Sequence, residues 1–371
     1  MKIGVPLEIM TGEKRVALTP AACKTLVQAG HVVYLQHDAG VSSGYSDADY
    51  IDSGAEIVAN AQQLYASARL IIKVKQPLEQ DIRYLTEQHI LFSYLHLAAD
   101  VALIHTLCDI GLTAVPFESI SDDTGALPLL APMSQVAGRI AAIRGASLLF
   151  TNRGGRGVLL GGVDGADSGR VVVLGAGVAG SHAVAVLAAL GAKVDVLDLA
   201  AAKLESLKHS YPVIQTHLSD AKSIESLCVQ ADLVVGAVLL AGRRAPVVLK
   251  QSVVKQMNPG SVIVDIAIDQ GGCVEGIRST SSEELCYVEH GVIHSAVPNM
   301  PAAVARTSSQ SLSSAILPYV LTLAATDIDA LKKVDSRQAL AIHAAIAIHR
   351  GEVVDEILRQ ELAGGRSPLP A

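Results

Sequence analysis

The segment from Arg170 to Asp198 constrains the fold of this chain more than any other part of its sequence. An apolar run, VVVL, leads into a GxGxxG pattern that begins at Gly175, a helix-like run follows, and a second apolar run ends at Asp198. Gly175 allows a tight turn off a strand, Gly177 allows the backbone to approach a ligand, and Gly180 allows a helix to pack closely on a strand. The order of these parts predicts a βαβ unit that binds a dinucleotide.

The ends of the two predicted elements in this unit also suit a dinucleotide. The helix start at Val178 and Ala179 offers backbone N–H groups and the positive end of the helix dipole to phosphates. Asp198 can accept a hydrogen bond from a ribose 2′-hydroxyl. A carboxylate there repels a 2′-phosphate, and Leu199 beside it supplies no cation, so we expect NAD(H) rather than NADP(H). The alternative interpretation is a glycine-rich turn in an ordinary βαβ unit.

The composition favours buried parallel strands and close-packed helices. Half of the 371 residues are hydrophobic, with only three Phe and no Trp, and the net charge is −7. No long basic run is present and aromatic residues are scarce, which argues against a nucleic-acid surface. The run from Val171 to Ala192 has no Asp, Glu, Lys or Arg. Its glycines and His182 favour a strand and a packed helix over a membrane span.

Cysteine and histidine usage argues against disulfides and against a metal site. The cysteines are odd in number, form no CxxC pair and favour buried thiols in a reduced compartment: Cys23, Cys108, Cys228, Cys273 and Cys286. His290 and His294 have the spacing of a metal pair on a helix, but no third ligand is evident, so we expect no metal. The opening sequence MKIGVPLEIM lacks the apolar core of a signal peptide. We therefore expect a soluble cytoplasmic protein.

Strand and helix patterns alternate along the rest of the chain. The N-terminal part contains no GxGxxG, and its predicted strands are KIGVP, HVVYLQ (31–36), ARLIIKVK (68–75), ILFSYLH (90–96) and LTAVPF (112–117). Later strands are DLVVGAVL (232–239) and SVIVDIAID (261–269), and helices are predicted near 128–150, 301–323 and 338–358. This alternation predicts an α/β fold of two Rossmann-like domains with parallel sheets, a cleft between them and long helices joining them. We assign 1–128 and 305–371 to a substrate domain and 129–304 to an NAD-binding domain.

Titratable residues end several of the predicted strands. They are Arg15 in the loop after the first strand, Lys75 after LIIKV, His96 after ILFSYL and Asp269 after SVIVDIAI. Ligands of open parallel sheets bind beyond the carboxyl ends of the strands. There, Arg and Lys can hold a carboxylate, while His and Asp can move protons.

Spacing alone leaves alternatives open at these positions. Lys73 shares a strand face with Lys75, and Asp265 shares one with Asp269, so either member of each pair could be the functional group. Arg15 could also be a solvated loop charge, and His96 could be a histidine at a helix start that bonds only to backbone.

Nine motifs, taken together and in order, identify a family. They are GEKRVALTP, LIIKVKQP, FSYLHLAAD, GALPLLAPMSQVAGR, GGRGVLLGGV, VVVLGAGVAG, GAVLLAG, VDIAIDQGGC and VPNMPAAVARTSS. Over nearly its whole length the chain resembles the L-alanine dehydrogenase family. It departs from the family pattern at Pro298 and Ala305, where alanine and proline are expected.

The resemblance implies a reversible, NAD-dependent oxidative deamination of L-alanine to pyruvate and ammonium by a homohexamer. It implies that Arg15 and Lys75 bind the substrate and that His96 and Asp269 form an acid/base pair. It further implies cofactor contacts from residues in and beyond the glycine turn: Ser134, Val178, Ala179, Asp198, Lys203, Ser219, Val238, Leu239, Ile266, Ala267, Ile268, Asp269, Arg278, Val297, Pro298, Asn299 and Met300.

Two other functions fit parts of the pattern. The NAD-binding subunit of a proton-translocating transhydrogenase shares the two-domain ancestry but needs no clamp for a small substrate. A non-catalytic NAD-sensing module would need only the glycines and Asp198. Oxidation of NADH with ammonium and a panel of 2-oxo acids separates the three.

Overall fold

The computed structural model describes residues 1–238, 244–281 and 283–363, and the chain forms two compact units. The first unit comprises Met1–Met133 together with the segment from Val304 onward, and the second comprises Ser134–Ala303. The roles predicted for the two domains and the cleft predicted between them stay predictions.

The elements of the described residues alternate along both units, as the sequence predicts. The strands are β1 (Lys2–Val5), β2 (Val32–Gln36), β3 (Glu56–Val58), β4 (Leu70–Ile72), β5 (Ile90–Ser93), β6 (Thr113–Pro116), β7 (Arg170–Leu174), β8 (Lys193–Asp198), β9 (Gln215–Leu218), β10 (Leu233–Gly236), β11 (Val262–Asp265), β12 (Tyr287–Glu289), β13 (Val292–Ser295), β14 (Ile348–His349) and β15 (Glu352–Val353). The helices are α1 (Pro20–Gln28), α2 (Asp47–Asp52), α3 (Ala61–Ser67), α4 (Glu79–Ile82), α5 (Val101–Ile110), α6 (Ala131–Leu148), α7 (Val178–Ala189), α8 (Ala201–Ser210), α9 (Ala221–Cys228), α10 (Gln251–Val254), α11 (Ala305–Ala325), α12 (Arg337–Ala345) and α13 (Glu356–Ala363).

Each unit is built on one sheet whose strand order reverses at its first strand. The sheet of the first unit has the order β15-β14-β6-β5-β4-β1-β2-β3, and that of the second has the order β12-β13-β11-β10-β7-β8-β9. The chain therefore proceeds outward from β1 through β2, and from β7 through β8, before crossing back to the other side. Crevices for ligands form at such reversal points, beyond the carboxyl ends of the strands.

Apolar side chains cover both faces of each sheet. In β4, Leu70 and Ile72 join one core and Ile71 joins another. In β7, Val171 and Val173 belong to one core and Val172 belongs to another. Successive strand residues point to opposite faces, so a sheet buried on both sides needs continuous apolar runs rather than alternation.

The α/β class with mostly parallel sheets is confirmed, and each sheet adds antiparallel strands at one edge. Strand β12 is antiparallel to β13, and β14 is antiparallel to β6 and β15. The segment 338–358, which the sequence predicts as helical, contains the hairpin of β14 and β15 between two helices. Arg350 and Gly351 both have positive φ, 50° and 83°, which suits a tight two-residue hairpin turn. Strands of two residues are too short to show the alternation of apolar and polar residues that would predict a strand, so the sequence gives no sign of this hairpin.

Candidate active and cofactor sites

The glycine turn forms as the sequence predicts. Gly175 follows β7 with φ of 106°, Gly177 caps α7, and a Cβ built on Gly180 would collide with the carbonyl oxygen of Gly175. A Cβ on Gly175 would lie 2.6 Å from the carbonyl oxygen of Ala237, which follows the neighbouring strand β10. The turn is therefore closed on both sides, which requires glycine at two of its three positions.

The third glycine of the turn has open space beside it. A Cβ built on Gly177 would meet no heavy atom within 4 Å. This opening lies at the N-terminus of α7, whose first backbone N–H groups have no acceptor within the helix. The turn thus fits a pyrophosphate, which needs backbone N–H groups and room to approach them.

Asp198 closes the turn from the adjacent strand. Its Oδ2 accepts the N–H of Ala176 at 2.7 Å and its Oδ1 accepts the N–H of Ala200 at 2.8 Å. The N–H of Ser219 donates to the backbone oxygen of Asp198 at 3.0 Å. The carboxylate is therefore fixed at the edge of the glycine turn, where the sequence analysis expects a ribose contact.

Most of the remaining predicted cofactor contacts follow the carboxyl ends of parallel strands of the second sheet. Ser219 follows β9, Val238 follows β10, the stretch from Ile266 to Asp269 follows β11, and the stretch from Val297 to Met300 follows β13. These strands are mutually parallel with β7 and β8, so the residues lie along one edge of the sheet. Leu239 lies outside the described residues.

Three predicted contacts come from other places in the second unit. Lys203, on α8, lines a cavity of about 500 Å³ together with Ala176 of the glycine turn. Ser134 lies one turn before Gly138 on α6. A Cβ built on Gly138 would collide with the carbonyl oxygen of Ala179 at the start of α7, so the two helices are in close contact there. Arg278 lies with its guanidinium 4.2 Å from the ring centre of Tyr287 on the antiparallel edge strand β12.

Arg15 is a buried, paired cation and not a solvated loop charge. The Arg15 Nε donates to Glu13 Oε1 at 2.7 Å, and its Nη2 lies 2.6 Å from Glu13 Oε2. Burial favours a lower pKa for Arg15, but the hydrogen bond and charge of Glu13 outweigh it and raise the pKa. Helix α11 anchors the loop, because Ser309 Oγ accepts the N–H of Val16 and Ser313 Oγ accepts that of Thr19.

The structure separates the two lysines that spacing could not. Lys73 is 1% exposed, and its Nζ lies 3.4 Å from Glu8 Oε2 and 3.3 Å from Asp81 Oδ2. Lys75 is half-buried. Strand β4 ends at Ile72, earlier than predicted, so both lysines follow the strand. Lys73 is committed to a buried ion-pair network, which leaves Lys75 as the better substrate-binding candidate.

Asp265 and Asp269 also differ in burial. Asp265 is fully buried at the end of β11 and accepts the N–H groups of Ala267 and Cys273 at 2.9 and 2.8 Å. Burial raises its pKa, although these hydrogen bonds act in the opposite direction. Asp269 is exposed and accepts the N–H of Asn299 at 3.1 Å. It lies on a 3₁₀ turn over Ile266–Gln270, and not on the strand end that the sequence predicts.

His96 lies three residues beyond β5, which ends at Ser93 and so is shorter than predicted. Its φ is 49°, its side chain is 48% exposed, and its ring stacks on Tyr94 at 6.2 Å between ring centres. The Tyr94 hydroxyl donates to the Leu129 carbonyl at 2.5 Å. The imidazole is therefore presented at the surface of the first unit on an aromatic support, and is not buried in the core.

Four carboxylates around these groups were not predicted from the sequence: Glu8, Glu13, Asp81 and Glu118. Glu13 pairs with Arg15, Glu8 accepts the N–H of Val74 at 2.5 Å beside Lys73, and Glu118 accepts the N–H of His96 at 2.5 Å. Burial is the main reason that the pKa of Glu8 is raised. Glu118 follows β6 by two residues, so its position after a parallel strand could have marked it as a candidate site residue. Glu13 could have been found from its position two residues before Arg15.

Other predicted features have plain structural roles. All five cysteines are free thiols. His294 is buried on β13, and its ring stacks on Tyr287 at 5.1 Å between ring centres. Within residues 1–238, 244–281 and 283–363, no helix has the length and apolar character needed to cross a membrane.

The fold and the sites define a class of protein. One unit carries a glycine turn with open space for a pyrophosphate and a carboxylate at the end of the next strand, and the other carries cationic side chains and an exposed histidine beyond its strand ends. This combination is that of a two-unit, dinucleotide-dependent oxidoreductase.

Comparison with known proteins gives the family. Models described as "Alanine dehydrogenase/PNT, N-terminal domain" and "Alanine dehydrogenase/PNT, C-terminal domain" match residues 4–137 and 141–356. An alanine dehydrogenase from Mycobacterium tuberculosis is 43% identical over 98% of this chain and 97% of its own length. The chain belongs to the alanine dehydrogenase/PNT family and is an amino-acid dehydrogenase.

Solved structures agree with this membership. One described as an L-alanine dehydrogenase matches with a TM-score of 0.93 and 41% identity over 98% of this chain and 99% of its own. A transhydrogenase from Sinorhizobium meliloti matches with a TM-score of 0.83 at 24% identity, covering 96% of this chain and all of its own, which shows a shared fold.

Proposed function

We propose that the chain catalyses the NAD-dependent, reversible oxidative deamination of L-alanine. In the forward direction L-alanine, NAD⁺ and water give pyruvate, ammonium, NADH and a proton. The observation that carries this proposal is the similarity to alanine dehydrogenase along almost the entire chain. The division between buried, structural Lys73 and Asp265 and the more accessible Lys75 and Asp269 supports it.

Arg15 and Lys75 bind the substrate carboxylate in this proposal. Glu13 offsets the charge of Arg15 and fixes its guanidinium, so Arg15 contributes orientation while Lys75 contributes net positive charge. Two cationic side chains around one carboxylate leave little room for a long side chain on the neighbouring carbon. We therefore expect alanine and pyruvate to be preferred over larger analogues.

His96 and Asp269 handle the protons. The substrate ammonium first loses a proton to solvent, and a bound nicotinamide would then supply the hydride acceptor for the substrate α-carbon. His96 then accepts a proton as water adds to the resulting imine carbon, and returns it as the carbinolamine collapses to pyruvate and ammonia. Asp269 stabilises the cationic imine and relays protons to the departing ammonia. Imidazole suits this exchange because histidine titrates near neutral pH, about 6.5 in model peptides.

The cofactor is NAD(H) in this proposal. The glycine turn holds the pyrophosphate and Asp198 binds the ribose 2′-hydroxyl, while a 2′-phosphate would face the carboxylate. Comparing kcat/KM for NADH and NADPH tests the choice, and equal efficiency with NADPH would contradict it.

Assembly as a homohexamer in the cytoplasm completes the proposal and rests on the family alone. Light scattering at working concentration tests the assembly. A monomeric mass would refute it.

The deciding experiment follows NADH oxidation with ammonium and a panel of 2-oxo acids. We expect turnover, with pyruvate the best substrate. NADH binding without turnover would favour the sensing module, and hydride transfer only to a second nucleotide would favour the transhydrogenase subunit.

A further inference from the structure

Glu118 lies beside His96 because of the order of strands in the first sheet. Strands β5 and β6 are parallel neighbours in which Ser93 pairs with Pro116. Glu118 follows β6 within the 3₁₀ turn Phe117–Ser119, at the same edge of the sheet as the segment that leads to His96. The topology therefore brings a carboxylate to the candidate acid/base histidine from the next strand.

The Glu118 carboxylate binds the backbone that presents His96. It accepts the N–H of Leu95 at 3.2 and 3.3 Å through its two oxygens, and Oε1 accepts the N–H of His96 at 2.5 Å. His96 itself has φ of 49°, a conformation that residues other than glycine rarely adopt. These hydrogen bonds hold the backbone in that conformation, so the position of the imidazole depends on Glu118.

The same carboxylate also faces the imidazole ring. Its Oε1 lies 3.9 Å from His96 Nδ1, and the Glu118 side chain is only 21% exposed. A carboxylate at this distance favours the protonated imidazole and lies on its Nδ1 side, which leaves Nε2 for proton exchange with a reactant. Tyr94 contacts the other side of the ring, and burial raises its pKa, so its phenol stays neutral over the working range.

We propose that Glu118 is a positioning residue for His96: it fixes the left-handed backbone at His96 and stabilises the imidazolium that forms during proton transfer. This inference rests on the proposed function, in which His96 is the acid/base group. Glu118 acts through His96 and need not touch the substrate.

The test compares Glu118→Gln with a matched control, Asp122→Asn. Glutamine keeps one carbonyl oxygen for the backbone N–H groups, replaces the other carboxylate oxygen with an amide NH₂, and removes the charge. Asp122 also accepts two backbone N–H groups, from Thr124 and Ala126, but no histidine ring within the described part of the chain is paired with it. Both variants are measured for kcat and KM with pyruvate and ammonium, for the pH profile of kcat/KM, and for NADH affinity.

Reductive amination needs protonated His96. Loss of the Glu118 charge makes that imidazole easier to deprotonate, so the alkaline limit of activity moves to a lower pH. For Glu118→Gln we expect the alkaline limb of kcat/KM for pyruvate to move down by about one pH unit. We expect kcat to fall about tenfold, because the imidazolium that forms during proton transfer loses the neighbouring negative charge, and one pKa unit corresponds to a factor of ten. NADH affinity should stay at the wild-type value, and Asp122→Asn should match wild type throughout.

Two outcomes separate this inference from the proposed function. If wild type turns over pyruvate but Glu118→Gln keeps the wild-type profile and a kcat within twofold, the role of Glu118 is wrong. If wild type itself shows no turnover, the proposed function fails first. Glu118→Asp, which restores the charge, should recover the alkaline limb, and failure to do so would also count against the ion pair.

Discussion

The two sheets share a strand order that reverses at the first strand, but the segment that follows that strand differs. In the first unit, residues 6–19 join β1 to α1 and carry buried charged side chains, including Glu8, Glu13 and Arg15. In the second unit, only residues 175–177 join β7 to α7, and the turn presents backbone with space beside Gly177.

Under the proposed function, this difference gives two ways to recognise an anion at the same place in an α/β fold. A short glycine turn exposes N–H groups at a helix N-terminus and suits a large phosphate group. A long charged loop suits a small carboxylate, since side chains can reach it, but each buried cation then needs a carboxylate partner. The pairs Arg15–Glu13 and Lys73–Glu8 meet that requirement.

The largest expected effect comes from breaking the buried network of the first unit. Lys73→Met leaves Glu8 and Asp81 buried without their cation, and we expect the free energy of unfolding to fall by about 3–5 kcal/mol. Urea unfolding measures the loss. Lys75→Met is the matched control, with near-wild-type stability but a raised KM for pyruvate. If both variants were equally stable, the distinction between the two lysines would be wrong.

The next effect separates chemistry from cofactor binding. We expect His96→Ala and Asp269→Ala each to lose roughly a hundredfold or more in kcat, because general acid/base groups typically contribute that much. NADH should still bind both variants in a fluorescence titration, because the phosphate and ribose contacts lie elsewhere. Retained turnover would remove either residue from the mechanism. Arg15→Ala should instead raise KM and lower kcat together, since a misplaced substrate loses its orientation.

A pair of glycine substitutions sharpens the account of the second unit. In Gly180→Ala the new Cβ meets the carbonyl of Gly175, and we expect a loss of about 1–3 kcal/mol in stability. In Gly177→Ala the Cβ points into open space, so stability should stay near wild type while the Kd for NADH rises about tenfold. Thermal unfolding and NADH titration check both, and unchanged NADH affinity in Gly177→Ala would place the pyrophosphate elsewhere.

The smallest expected effect is a difference in alkylation between buried and half-buried cysteines, which compares thiol reactivity in the two units. Burial raises the pKa of Cys23 in the first unit and Cys228 in the second to about 12. A thiol is protonated below its pKa, so at pH 8 about one in ten thousand of these groups is a reactive thiolate. We expect alkylation at pH 8 to label half-buried Cys108 and Cys286 first, as read by mass spectrometry. Unfolded protein should label at all five cysteines.

The βαβ unit around the glycine turn can be predicted from the amino-acid sequence alone. Its signals are local: three glycines with fixed backbone requirements, an apolar strand before them and Asp198 at the end of the next strand. Each is confirmed because turn geometry and helix packing act within about thirty residues. The family resemblance is equally a property of the sequence, since its motifs stand in order along the chain.

Which polar side chains are buried depends on how distant segments of the chain pack together. Lys73 and Lys75 look alike in sequence, as do Asp265 and Asp269, because period-two spacing places both members of a pair on one face. The strands end earlier than the apolar runs suggest, at Ile72 and Asp265. Burial then depends on residues far along the chain, such as Glu8 beside Lys73, and the position of Glu118 beside His96 depends on strand order. Such contacts arise when distant segments pack together, so spacing within one segment does not encode them.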